Sequence, residues 1–239
     1  MTSPDNFFPE YPLEWEMSHA ERFTLVGLLA RLRPQVAIEI GTHFGGSLQV
    51  VNAFCGQVHS IDFDPAVRAQ LLPMFPQVHF HCGPSAGLIP AVLREIEAGG
   101  AELGFVLVDG DHSAKGVRAD LNALLQYRPR RGTVHILMHD SFNPDCRTGI
   151  RQAAWSACPH VHFLDLDFVP GAFIETAQGS AFARSMWGGF ALAILRPEPR
   201  VGPLEIRQKQ EAMHRVVFAR SAHRLWHKVL RAIRRRFGR

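Results

Sequence analysis

At 239 residues, 46% of them hydrophobic and with a mean hydropathy near zero, the chain is long enough for one sizeable globular domain and excludes a disordered or fibrous class. No apolar run reaches bilayer-spanning length, and the acidic, proline-rich start MTSPDNFFPEYPLEWE lacks both parts of a signal peptide, which predicts a cytoplasmic protein. Cys55, Cys82, Cys146 and Cys158 are too irregularly spaced for a disulfide framework or a cysteine zinc site, and the net charge of +4 is uneven, with eleven Lys or Arg against two Glu in residues 201–239.

After an N-terminal arm over 1–17, Ser18-His-Ala-Glu21 reads as a capping box. It opens a helix to Leu32 with Phe23, Val26, Leu29 and Ala30 on one face, stopped by Pro34. Strands are predicted at 36–40 (VAIEI), 58–62 (VHSID), 78–82 (VHFHC), 105–109 (FVLVD) and 134–140 (VHILMHD). Helices near 46–54, 65–74, 85–98 and 114–127 separate them. Strands that are near-continuous Val, Ile and Leu, alternating with helices, predict an α/β, Rossmann-like doubly wound sheet covered on both faces. Further strands at 161–166 and 189–195 make a seven-stranded sheet, mostly parallel with one antiparallel strand. Residues 167–187 read as a long functional loop, and 201–239 as a basic amphipathic helical tail beyond a domain over 18–200.

A doubly wound sheet binds its ligand beyond the carboxyl ends of its strands. The first strand ends in Glu39-Ile40-Gly41-Thr42-His43-Phe44-Gly45-Gly46-Ser47, a carboxylate beside glycines that let a backbone approach a ligand. His43 occupies the second glycine position of G-x-G-x-x-G, so the dinucleotide fingerprint fails. Asp62 ends the second strand, where a carboxylate accepts both hydroxyls of a ribose. Cys82-Gly83-Pro84-Ser85 follows the third strand, with Ser85 equally readable as a helix cap. The fourth strand ends in Asp109, Asp111 and His112, and the fifth in His139-Asp140. Parallel neighbours bring both sets to one sheet edge, where Asp109 and Asp140 form a hard oxygen site for a divalent ion. His112 suits a base that activates an alcohol, or caps the helix beginning at Ser113. His59, His79, His81, His135 and His162 read as sheet-surface or core residues, and Trp187 as a substrate wall or a packing residue.

E-I-G-x-x-x-G-x-S-L, D-G-D-H and the later H-D together resemble class I S-adenosylmethionine-dependent methyltransferases over about residues 18–195. The form is similar to catechol and caffeoyl-CoA O-methyltransferases, and to small bacterial enzymes acting on sugars and antibiotic intermediates. The resemblance implies S-adenosylmethionine held by Glu39, Gly41, Thr42, Gly45 and Ser47 around its methionine part. It implies further cofactor contacts at Asp62, Phe63 and Asp109, and at Gly83, Pro84 and Ser85 on the adenine side. A divalent metal, Mg²⁺ or Mn²⁺, is implied at Asp109, His139 and Asp140, although His139-Asp140 departs from the family's Asp-Asn. Alternatively His139 faces the substrate as a second catalytic group beside His112.

The implied reaction is methylation of a hydroxyl on a small molecule or glycan. A nucleotide-dependent oxidoreductase and a non-catalytic, membrane-recruited binding module are the alternatives. In the tail, Phe218, Ala222, Leu225, Trp226, Val229 and Ile233 share a face ringed by arginines. Such a helix fits an anionic surface such as the inner membrane face, its own sheet, or a second subunit in a homo-oligomer. Nucleic acid is not expected, because no reader motif accompanies the charge.

Overall fold

Helix α1 (His19–Leu32) begins where the capping box places it: the Glu21 backbone N–H donates to Ser18 Oγ, and the Glu21 carboxylate accepts the Ser18 N–H at 2.6 Å. The computed structural model describes residues 7–175 and 183–223. Strands β1 (Val36–Ile40), β2 (Gln57–Asp62), β3 (His79–Cys82), β4 (Leu103–Val108) and β5 (Val134–His139) then alternate with helices. Those helices are α2 (Gly46–Phe54), α3 (Pro65–Leu71), α4 (Ser85–Ala98), α5 (Ala114–Leu124) and, after β5, α6 (Pro144–Gln152). Asp64, Ser113 and Asn143 cap α3, α5 and α6 through their side chains, with Pro65 and Pro144 at the first helical position. The chain continues through β6 (Val161–Val169), β7 (Ala172–Ile174), β8 (Ser185–Trp187), β9 (Phe190–Leu195), β10 (Glu205–Arg207) and α7 (Glu211–Arg220).

The main sheet runs β10-β6-β9-β5-β4-β1-β2-β3, with β9 antiparallel to both neighbours and the other pairings parallel. Strand order reverses between β1 and β4, so the glycine turn after β1 and the polar end of β4 flank one crevice. Alternation along β1 sends Val36, Ile38 and Ile40 into the core layer shared with α4, α5 and α6. Ala37 joins the opposite layer, with Leu25 and Leu29 of α1 and Leu48 of α2. Leu25 is fully buried, and truncating such a side chain to alanine costs about 2–5 kcal/mol.

The structure differs from expectation in three places. The sheet has eight strands, because β10 adds an edge strand whose single apolar residue, Ile206, gave no pattern to read. Within the expected 167–187 loop, β6 reaches Val169 and β7 pairs antiparallel with β8. Residues beyond 200 carry more than a helix, since β10 pairs with β6, and Glu211 of α7 reaches buried Arg147 at 3.2 Å. The rest of the expected amphipathic face, including Leu225, Trp226, Val229 and Ile233, lies outside the described residues. Among the described residues no helix is long and apolar enough to cross a membrane.

Candidate active site

A cavity of about 480 Å³ opens at the carboxyl ends of β1, β2 and β3, beside Gly41, Asp62, Phe63, Gly83, Pro84 and Ser85. All six were expected from sequence, and the opposite wall comes from the β4–α5 turn and from α5. Gly41 has φ +83, and a Cβ there would lie 2.2 Å from the Asp109 carbonyl oxygen, so only glycine lets the β1 turn pass β4. Asp62 pins that turn. Its Oδ2 accepts from the Thr42 and His43 amides at 2.8 and 3.1 Å, and its Oδ1 from the Asp64 amide at 2.9 Å. Oδ1 keeps an open acceptor position.

The other expected cofactor residues stand behind this wall. Thr42 is buried, its hydroxyl 2.7 Å from Ser60 Oγ, and Ser47 is buried at the start of α2. Gly45 faces Leu13 and Leu71, so the N-terminal arm packs over the turn, and Gln49 clamps both the N–H and the carbonyl of Leu13. Glu39 is fully buried, and neither of its oxygens has a hydrogen-bond partner. Burial pushes its carboxyl up to about 8, with the hydroxyls of Ser47 and Thr42 offsetting only part of the effect. An orphaned carboxylate in that position suits a cation from a ligand.

Asp120 of α5, not singled out from the sequence, also lines the cavity. It is buried, its Oδ1 accepts from Ser85 Oγ at 2.6 Å, and its Oδ2 has no partner. Burial pushes this carboxyl up to about 6. The legible signal was an acid on the same helical face as Val117, Leu121 and Leu124.

The ends of β4 and β5 meet as expected, with one addition from α1. His139 is buried with both ring nitrogens committed: Nδ1 lies 2.9 Å from Asp109 Oδ1 and Nε2 lies 3.1 Å from Glu21 Oε1. Burial opposes its charge, but Asp109 and Glu21 outweigh it and hold the imidazole well above its ordinary range. Asp109 is likewise held down to about 2, against the pull of burial, by His139 and His112. Burial also works against Glu21, which its bond to His139 nevertheless keeps below the usual range. Glu21 further accepts the Gly189 N–H. Gly188, at φ +71, would carry a Cβ only 2.8 Å from Glu21 Oε1 and donates its own N–H to Asp140.

His112 is the accessible member of the cluster. Its Nε2 lies 3.4 Å from Asp109 Oδ1 and 3.3 Å from Asp140 Oδ2, and the Trp187 ring meets it edge-on at 5.7 Å. The Asp109 hydrogen bond raises the imidazole pKa, against burial and with help from Asp140. Burial raises the Asp140 carboxyl, and that residue holds φ +55, a left-handed backbone uncommon outside glycine.

Residues 38–141 match the family model described as a methyltransferase domain, a span holding the glycine turn, Asp62, Asp120 and the ends of β4 and β5. That span is similar to methyltransferase domains. No curated protein matches the chain. Among solved structures, the chain is similar to an O-methyltransferase from Bacillus cereus in complex with SAH, at 18% identity and TM-score 0.53, over 76% of this chain and 83% of that one. A cofactor-bound protein from MTB gives 18% identity and TM-score 0.49, over 80% and 86% of the two chains. The N-methyltransferase NodS from Bradyrhizobium japonicum WM9 gives 16% identity and TM-score 0.47, over 79% and 93%.

The orphaned Glu39 carboxylate fits a ligand's ammonium group. For a metal, Asp109, His112 and Asp140 each offer a ligand atom within 4.8 Å of the others. The set expected from sequence named His139 where this group has His112. His139 is enclosed by two carboxylates with no ring nitrogen left to ligate, and His112 stands in its place.

Proposed function

We propose that this chain is an S-adenosylmethionine-dependent methyltransferase that methylates a hydroxyl group of a small molecule or glycan, with His112 as general base. The observation that carries the reading is His112 held between Asp109 and Asp140, one residue beyond the cavity-lining Asp111. S-adenosylmethionine supplies an electrophilic methyl group on its sulfonium. Glu39 pairs with the ammonium group, Asp62 accepts from the ribose hydroxyls, and Ser85 with Asp120 meets the adenine. Both carboxylates face His112 Nε2, so they hold its proton there and leave Nδ1 to take the proton of the attacking hydroxyl. Trp187 walls the acceptor side.

The test is a hydroxylated acceptor panel, with product NMR to locate the methyl group and a pH–rate profile. The reading expects a methoxy product and a rate that climbs as His112 loses its proton, above its ordinary pKa. Methylation at nitrogen or carbon only, or an unchanged rate in His112→Ala, sinks it.

Metal assistance is the second reading, favoured by the ligand atoms of Asp109, His112 and Asp140. A divalent ion held there lowers the pKa of an acceptor hydroxyl. Loss of turnover on exhaustive chelation, restored by Mg²⁺ or Mn²⁺, supports it, and full activity after chelation removes it. The arginine-rich sequence over 224–239 supports a contact with an anionic lipid surface.

A further inference from the structure

Strand β3 is a four-residue strand at the edge of the sheet, with little of its surface buried, yet it ends at Gly83 in the cofactor cavity. What holds it is largely polar. His59 of β2 is fully buried, and its Nδ1 lies 3.0 Å from Nε2 of His81 on β3. The two rings stack nearly parallel, 12° apart, and His79, the register partner of His59, stacks on it as well. Glu95 of α4 closes the group from above the sheet, its Oε1 3.5 Å from His79 Nδ1. One ligand atom each from His59, His81 and Glu95 lies within 4.8 Å of the other two.

We propose that His59, His81 and Glu95 form a binding site for an imidazole-preferring divalent transition ion, Zn²⁺ in type, that clips β3 to β2 and α4. The site is separate from the methyl-transfer centre and stands whether or not the hydroxyl reading is right. Two imidazole nitrogens on one tetrahedral Zn²⁺, each about 2.0–2.1 Å from it, stand about 3.3 Å apart. The pair at 3.0 Å is thus close to chelating separation before any ion enters. Two imidazoles and one carboxylate also make a donor set that selects Zn²⁺-like ions over Mg²⁺. Burial and the neighbouring His79 push the His59 pKa down to about 4, so the ring is neutral at pH 7.

The proton balance closes within the cluster. Without an ion, one nitrogen of the 3.0 Å pair carries a hydrogen. Ligation through Nδ1 of His59 moves that ring's proton to Nε2, which lies 3.0 Å from the Gln57 amide. Turning the amide over presents its oxygen to the new N–H, the outer-shell hydrogen bond that metal-bound histidines require. Water completes the fourth position.

The experiment titrates Zn²⁺ into the full-length protein against a chromophoric chelator, with Co²⁺ absorption as a second readout. An Asp140→Asn background silences the Asp109 cluster. That background is expected to keep one equivalent with a four-coordinate Co²⁺ spectrum and a Zn²⁺-dependent rise in Tm. Adding His81→Ala or Glu95→Gln, both at accessible positions, should abolish all three signals, and Gln57→Ala should weaken binding about 10–100-fold. No bound equivalent in the background protein overturns the site. So does undiminished binding in folded His81→Ala and Glu95→Gln variants.

Discussion

Glu21 joins the first helix to the catalytic cluster, and removing it is the sharpest test of that junction. Its carboxylate accepts from the Ser18 amide at 2.6 Å, from the Gly189 amide, and from His139 Nε2 at 3.1 Å. Glu21→Ala leaves a buried imidazolium with one carboxylate instead of two, and two amides without their acceptor. Breaking a buried pair from one side costs about 3–5 kcal/mol. For a chain of this length that lowers Tm by about 6–20 °C. Urea melts at pH 7 measure the cost directly, and NMR of the His139 ring measures its cause. A group whose folded pKa is raised stabilises fully below its unfolded value, about 6.5 for histidine, and less as pH climbs through the folded value. The wild-type advantage over Glu21→Gln should therefore be largest near pH 6 and shrink in alkali. A Glu21→Ala protein within about 0.5 kcal/mol of wild type, the range of ordinary surface changes, refutes the reasoning. So does a wild-type His139 that titrates at its ordinary value.

His112→Ala should lower turnover about 10²–10⁴-fold while leaving S-adenosylhomocysteine affinity nearly unchanged, by steady-state kinetics and calorimetry. Asp120→Ala should weaken S-adenosylhomocysteine about 10- to 150-fold, the scale of a lost hydrogen bond to a charged group. In wild type the affinity should fall below about pH 6, where Asp120 takes up its proton. Asp109, with a folded pKa of about 2, contributes stability that is present above its unfolded value and lost as pH falls towards 2. Acid melts of Asp109→Asn should accordingly converge with wild type at low pH. Truncation after residue 223 should keep the fold, because β10 and α7 remain, and abolish co-sedimentation with anionic vesicles. Equal binding of the full and truncated proteins removes the lipid contact.

The sequence was most legible where one local pattern had one meaning. VAIEI is buried along its whole length, as a central strand covered on both faces must be, and the residues after its end, with Asp62 and Asp109, could be placed at one edge from strand direction alone. Helix α6 escaped notice because PDCRTGIRQ has few apolar residues and buries an arginine, Arg147, whose partners Asp167 and Glu211 are distant in sequence. Glu21 was hidden differently: its capping role explained it completely, while its second partner lies 118 residues away. The enclosure of His139 was hidden for the same reason, since nothing near it in sequence announces the carboxylate beside its Nε2.

The cofactor account rests on Glu39, a fully buried carboxyl behind the cavity wall that is proposed to meet the cofactor's ammonium group. The direct measurement is a calorimetric comparison of wild type and Glu39→Gln with two ligands, S-adenosylhomocysteine and methylthioadenosine, which lacks the amino-acid part. Glu39→Gln should lose about 10- to 150-fold for the first ligand and almost nothing for the second. The ligand-free variant should melt above wild type in alkali and lose that advantage as pH falls, because a buried carboxyl pushed up to about 8 is ionised only there. Unchanged S-adenosylhomocysteine affinity, or an equal loss for both ligands, contradicts the assignment of this cavity and its carboxylate to S-adenosylmethionine.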